Sequence, residues 1–452
     1  MLKALWFLFK AALLVFAVMW LAARPGVVEI SWQGWIVETS TSFAVILFMA
    51  VLLVWAFAYR IWRGFVSVPE ALSRYRATRM REKGYHDVTR GLVAVAAGDG
   101  PAAEKFSRRA LAMIPGAPLA RLLTAQAAMM NGNAPRARRE FAALLEDDDA
   151  AFFGIRGLLS DLLVEGNTAE ALQLVRRAEK LQPRRRWVIR TLFDLETRSR
   201  DWLKAEATLS KAEKYGVFTK EDARRHRQAL LMAKSDQAFA QGQMTQAIKY
   251  ADKARDIDAS FVPAAVRLAM LYGQAGKARA ALKTVEKTWA LHPHPALAEL
   301  WMKAVPPARK SSSPYDTGRH IYDWMKRLYD LQPEHRDSLR AMGAAALEAR
   351  MWREARNYLT RAMDYRLLAR LEQAETGNEA KTREWLEMAA ENPPDPKWIC
   401  GGCGHASLDW AALCHRCGVF NDCQWMTSGS EVVSSPRKIA GLEGGFISPP
   451  NY

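Results

Sequence analysis

One glycine recurs in this chain at a fixed step. Gly98, Gly132 and Gly166 stand 34 residues apart, Arg200 takes the next place, and Gly242 and Gly276 are again 34 apart. Five residues after each comes alanine: Ala103, Ala137, Ala171, Ala205, Ala247 and Ala281. At twelve residues the position is again small or apolar, as Ala110, Leu144, Ala178, Ala212 and Ala254. A period of this length belongs to an array of stacked helix pairs, not to a catalytic domain. The glycine supplies the tight turn between the two helices of a pair, and the small residues let those helices approach closely.

This register predicts first helices near 84–97, 117–131, 151–165, 186–199, 222–241, 261–275, 296–304, 335–349 and 366–376, each followed by a second helix. Pro115, Pro183 and Pro293 close pairs at a common offset, because proline cannot continue a helix. The period slips twice. Residues 218–225 lengthen a first helix, and the stretch Pro306–Pro314 is a loop insertion. Downstream, Asp316 to Arg350 restores the step, with Pro333 at the expected offset, and the pair around Gly377 is short, as a terminal cap would be. The expectation is an all-α solenoid of about nine pairs over 84–394, the seventh degenerate. Turn glycine, alanines at five and twelve, and closing proline resemble the tetratricopeptide repeat. That resemblance implies a groove, lined by first helices, that holds a peptide or a helix of another protein. Arg184–Arg186, Arg136 with Arg138 and Arg139, and Arg224 with Arg225 are the strongest basic clusters. They read as solvated or membrane-facing surface, or as a groove for an acidic segment. Trp187, Trp202, Trp289, Trp301, Trp324, Trp352 and Trp385 fall at helical spacing and read as core.

Ahead of the array lie two apolar runs, residues 2–23 and 43–59, the second extended by Ile61 and Trp62. Each is close to the roughly 20 residues needed to cross a bilayer. Together they predict a transmembrane hairpin over 1–63 rather than a cleaved signal peptide. Lys3 and Lys10 lie before or within the first run; Arg60, Arg63, Arg74, Arg76, Arg79, Arg81 and Lys83 follow the second. The positive-inside rule therefore puts both termini in the cytoplasm and the loop 24–42 outside, which in a bacterium is the periplasm. Within that loop Val28, Ile30 and Trp32 alternate, then Trp35 and Val37, around Gln33-Gly34, the pattern of a small β-hairpin. Residues 64–83 are expected to form a basic juxtamembrane helix, beginning near Pro69 and facing anionic lipid headgroups.

Five cysteines in 452 residues are no disulfide framework, and four of them are clustered. Cys400, Cys403, Cys414 and Cys417 form a C-x2-C-x10-C-x2-C pattern, with Gly404 and Gly418 directly after each pair. Each C-x2-C-G is a knuckle that aims two thiolates at one ion, and four thiolates make a closed tetrahedral site. A module over 395–425 holding structural zinc is expected, a zinc ribbon or rubredoxin-like fold, with iron as the alternative metal. His405, His415 and Cys423 stand outside the ligand spacing. Residues 426–452, rich in serine, glycine and proline, read as a disordered tail.

No phosphate-binding loop, H-E-x-x-H or G-x-S-x-G occurs. Gly98-Asp-Gly-Pro-Ala-Ala103 formally fits a dinucleotide fingerprint, but no strand precedes it and it falls on the repeat register. The prediction is therefore a protein that is not an enzyme. Lysine and arginine number 64 against 48 acidic residues, a net charge of +16. That balance suits a membrane surface or acidic partners; few basic residues sit in the cysteine module, so nucleic acid is disfavoured.

Two spans around a tryptophan-bearing loop, a basic neck and such repeats resemble the HemY family of proteobacterial membrane proteins. Residues 30–40 (ISWQGWIVETS) and His86–Leu111 carry the resemblance, and 395–417 with Trp425 is similar to the alphaproteobacterial form. It implies an inner-membrane protein connected with haem (porphyrin) biosynthesis, a scaffold for pathway enzymes. A flavin-dependent protoporphyrinogen oxidase shares the name HemY, but no flavin-binding strand–turn–helix is present here. The LapB family is similar in its repeats and paired knuckles, and implies recruitment of a membrane protease to control lipopolysaccharide synthesis. That family ordinarily has one span.

Overall fold

The computed structural model describes residues 26–32, 35–305 and 314–427, with scattered positions between 6 and 23. Most of the first apolar run, the centre of the insertion at 306–313 and residues 428–452 of the tail lie outside the described residues. The chain divides into two compact units, Met1–Ala137 and Arg138–Tyr452.

In the first unit, β1 (Val27–Trp32) pairs antiparallel with β2 (Trp35–Ser40), Trp32 opposite Trp35. Ser40 then caps helix α1 (Thr41–Ala96), its side chain accepting the N–H of Phe43. The stretch Thr41–Trp62 is long and apolar enough to cross a membrane, and none of its residues is buried within the protein. The sequence predicts a separate helix beginning near Pro69; α1 instead runs unbroken through it into the first repeat. An interior proline costs a helix roughly 3 kcal/mol. Here the helix is held beyond Pro69 by packing: Val88 lies with Ala110 and Ile114 of the next helix and turn, and Ala94 with Ala103. Helices α2 (Gly100–Met113) and α3 (Pro118–Met130) follow, and the division between the units falls within α4 (Ala134–Leu144).

The second unit continues the alternation. Its pairs are α5 with α6 (Ala151–Val164, Thr168–Leu181), α7 with α8 (Arg186–Arg198, Trp202–Lys214) and α9 with α10 (Lys220–Ala240, Met244–Ile257). Next come α11 with α12 (Val262–Gln274, Ala278–Trp289) and α13 with α14 (Pro295–Lys303, Pro314–Tyr329). The last are α15 with α16 (Arg336–Glu348, Trp352–Ala362) and α17 with α18 (Tyr365–Glu375, Glu379–Glu391). The recurrent alanines are buried where the helices of a pair cross, Ala171, Ala205 and Ala247 completely so. Trp289 and Trp301 are the largest fully buried side chains.

The turns explain the period. Gly98, Gly132, Gly166, Gly242 and Gly276 all have φ between 71° and 77°, the left-handed region glycine enters without strain. An acid or amide next in line often caps the second helix: Asp99, Asn167 and Asp201 accept N–H bonds from Ala102, Glu170 and Lys204. Arg200 holds the same conformation, φ 58°, at the place where the register lacks its glycine. A side chain in that region costs roughly 1–2 kcal/mol, while glycine adds up to about 1 kcal/mol of unfolded-state entropy. Arg200→Gly is therefore expected to stabilise the α7–α8 turn by up to about 1 kcal/mol, read as slower hydrogen exchange in these helices. Arg200→Ala keeps the strain and should give no such gain.

Candidate metal centre

After α18 the chain enters a three-stranded antiparallel sheet of order β4-β3-β5, made of Ala406–Ser407, Lys397–Cys400 and Cys423–Met426. Met426, expected to open the tail, instead ends the last strand. The two C-x2-C-G segments fold alike. Gly404 N–H donates to the Cys400 carbonyl at 2.8 Å, and Gly418 N–H to the Cys414 carbonyl at 2.9 Å. Cys400 N–H then donates to the His405 carbonyl and Cys414 N–H to the Val419 carbonyl, both at 3.0 Å. Both glycines are left-handed, φ 68° and 66°, so each chain reverses sharply behind its thiols.

These reversals bring four sulfurs together. Cys400 Sγ lies 3.7 Å from Cys417 Sγ, and Cys403 Sγ lies 3.6 Å from Cys414 Sγ. All four lie within 4.8 Å of one another. A disulfide needs about 2.05 Å, so neither pair is bonded, and all are free thiols. Four sulfurs about 2.3 Å from a common ion would be separated by roughly 3.8 Å, close to what is seen. The donor set therefore fits a tetrahedral thiolate ion. Among the described residues, no histidine or carboxylate joins this group. Burial raises the Cys400 thiol to about 12. At Cys414 burial opposes ionisation, but backbone N–H groups of Cys417 and Arg416 aim at the sulfur and draw it down to about 7. Cys423, opposite Cys400 on β5, is pushed up to about 12 by burial and by its proximity to Cys400 and Cys414.

The cysteine spacing does not reveal that this module is seated on the repeats. Phe420 joins the cluster of Ile189, Phe193, Trp202 and Phe218, its ring centroid 5.7 Å from Phe193. Asn421 Nδ2 and His226 Nδ1 approach to 3.4 Å. Trp410 meets Phe261 edge-on at 5.3 Å. Arg340 holds both carboxylate oxygens of Asp395, each at 3.0 Å.

His294 is the least expected member of this seat. It is 3% exposed and lies beneath Trp398 and Trp425, at ring distances of 6.1 and 4.2 Å. Its Nδ1 accepts the N–H of Ala296 at 3.2 Å, which leaves the ring proton on Nε2, buried without a hydrogen-bond partner. Burial, then the neighbouring His292, lowers its pKa to about 4. An unfolded chain, with the ordinary value of 6.5, takes up the proton first as pH falls. Stability from this site is therefore intact above pH 6.5 and lost progressively down to pH 4, by about 3 kcal/mol. His294→Phe should flatten that part of the stability profile, measured as the difference between the denaturation midpoints of the two proteins across this range.

Residues 26–150 match the family described as "HemY protein N-terminus". Over nearly its whole length the chain is similar to "Probable magnetosome protein Mms48" of Magnetospirillum gryphiswaldense: 24% identical over 428 residues, covering 92% of this chain and 91% of that protein. Similar solved structures include a tetratricopeptide repeat protein from Parabacteroides merdae, 14% identical, covering 58% of this chain and 99% of that one at a TM-score of 0.29. MamA protein is 11% identical, with 53% and 95% covered and a TM-score of 0.20.

Proposed function

We propose that this chain is a HemY-like tetratricopeptide-repeat membrane protein and a non-catalytic scaffold for partner proteins of haem (porphyrin) biosynthesis. The observation that carries this reading is the match over 26–150, which runs from the β-hairpin through the apolar span into the first repeats. Two crossings of the bacterial inner membrane, with both termini cytoplasmic, would set the array against the cytoplasmic face; the flanking charges support this. Arg60 sits in the last turn of the apolar stretch, where an anionic headgroup would meet it. Along a helix rising about 1.5 Å per residue, Lys83 would stand roughly 35 Å further on if α1 were upright. Lipid contact along the whole basic neck therefore requires α1 to bend beyond its apolar stretch.

In this reading Cys400, Cys403, Cys414 and Cys417 hold structural zinc, with iron the alternative. Bound metal would supply folding energy to the module, and a site closed by four protein sulfurs leaves no position for substrate. A second reading, a scaffold at a magnetosome-type membrane, is favoured by the relative aligned over 92% of this chain. Crosslinking in native membranes followed by partner identification decides between them, magnetosome-membrane proteins being the result that favours the second. Haem-pathway enzymes are the expected partners. Recovery of lipopolysaccharide enzymes or a membrane protease instead would transfer the assignment to a LapB-like role. Sustained porphyrinogen oxidation by purified protein with added flavin would overturn the non-catalytic assignment.

A further inference from the structure

In an array of stacked helix pairs each pair touches only its neighbours, so the curvature of the stack is set by many small, adjustable interfaces. The cysteine module breaks that rule. Phe420 lies against Phe193 and Trp202 of the fourth pair, and Asn421 reaches His226 of the fifth. Trp410 meets Phe261 at the start of the sixth. Trp425 covers His294 at the start of the seventh, and Asp395 is held by Arg340 of the eighth. One small body thus spans five consecutive pairs.

The contacting residues owe their positions to the cysteine knuckles. Trp410, Ala412 and Leu413 lie between Cys403 and Cys414, and Phe420 lies just past Cys417. Asn421 N–H donates to the Ala412 carbonyl at 2.7 Å, and Leu413 bridges Phe420, so the second knuckle forms the hook that enters the repeats. The buried residues of the module are few: Ile399, Cys400, Ala412, Cys414 and Phe420. Two of these five are sulfur donors, and the Phe420 ring is spent on the repeats, so little apolar core remains to hold the hook in shape by itself.

We propose that metal loading of the four cysteines acts as a clasp: the loaded module locks the fourth to eighth pairs in one relative arrangement, and the metal-free module releases them. This rests on the reading of the cysteines as a metal site. Release bares the apolar seat of Phe420 and returns the stretch to nearest-neighbour coupling.

The test uses the full-length protein in detergent, with bound zinc measured first and hydrogen exchange followed before and after chelation. Chelation is expected to raise exchange in α7–α9 and at the start of α11 by about tenfold or more, leaving α5 and α6 unchanged. Re-adding zinc should restore protection. Phe420→Ala should raise exchange in the same helices while zinc stays bound, which separates the clasp from the metal site itself. Unchanged exchange after zinc has been removed would overturn the clasp, as would a Phe420→Ala protein protected like the parent. A chain that takes up no metal would overturn the metal reading and the clasp together, and the zinc measurement shows this before any exchange is recorded.

Discussion

Cys403→Ser is expected to abolish tight metal retention and to unfold residues 395–427 within the intact chain. The four sulfurs lie within 4.8 Å of one another, so each supplies one corner of the proposed site. A serine hydroxyl is a hard, protonated donor with little affinity for zinc at neutral pH, and a three-thiolate site opens to water. Structural zinc contributes on the order of 10–16 kcal/mol of apparent binding energy to small cysteine modules. Nothing else in this one approaches that size: its sheet is four, two and four residues long, and few of its side chains are fully buried. Metal stoichiometry and limited proteolysis read the two effects separately. Cys423→Ser is the control, since Cys423 lies outside the four-sulfur group and should leave zinc content at the parent level. A Cys403→Ser protein that keeps its metal would dispose of the proposed site.

The repeats were legible because their turns impose a backbone requirement that few residues meet. A left-handed residue every 34 positions selects glycine, and the helix crossing five residues later selects alanine. The same logic located Arg200 in the register although its side chain gives no hint of the turn; its φ of 58° shows position outranking residue type. Likewise the strand period of two around Gln33-Gly34 predicted the hairpin that pairs Val27–Trp32 with Trp35–Ser40. Local signals failed where packing from outside decided the outcome. Proline at 69 argues for a helix start by its own chemistry, but the helix continues because both its flanks are helical for other reasons.

The spacing of the four cysteines was likewise readable, since metal geometry is local, whereas the seat of the module was not. His294, Asp395 and Arg340 look like ordinary polar residues of turns and surfaces, and their partners are distant in the chain. A compositional signal did exist. Trp398, Trp410, Phe420 and Trp425 put four large aromatic side chains into some thirty residues, more than so short a segment ordinarily buries by itself.

Trp301→Ala is expected to destabilise the seventh pair by about 3–5 kcal/mol, the cost of emptying a large aromatic site. This pair lacks the glycine turn of the pair before it, and α13 has only nine residues. Its helices are instead joined through two tryptophans. Trp301 Nε1–H donates to the Trp324 carbonyl at 3.2 Å, and Trp324 Nε1–H returns a bond to the Trp301 carbonyl at 3.3 Å. The rings stack with centroids 5.0 Å apart, and the Arg327 guanidinium covers both, at 5.3 and 4.8 Å. Glu286 holds Arg327 at 2.6 Å, tying the stack to α12 of the preceding pair. Truncation removes the filled volume, one indole bond and one face of the cation–π contact together, while Trp324→Phe removes chiefly a single bond worth about 1 kcal/mol. Hydrogen exchange over 295–329 should therefore rise far more in Trp301→Ala than in Trp324→Phe. Equal responses would mean that the stack does not join these helices and that the insertion between them does. Because coupling in such arrays passes through every pair in turn, a loosened seventh pair should also expose the junction between α12 and α15. The cysteine module, which touches both sides of it at His294 and Arg340, would limit that spread.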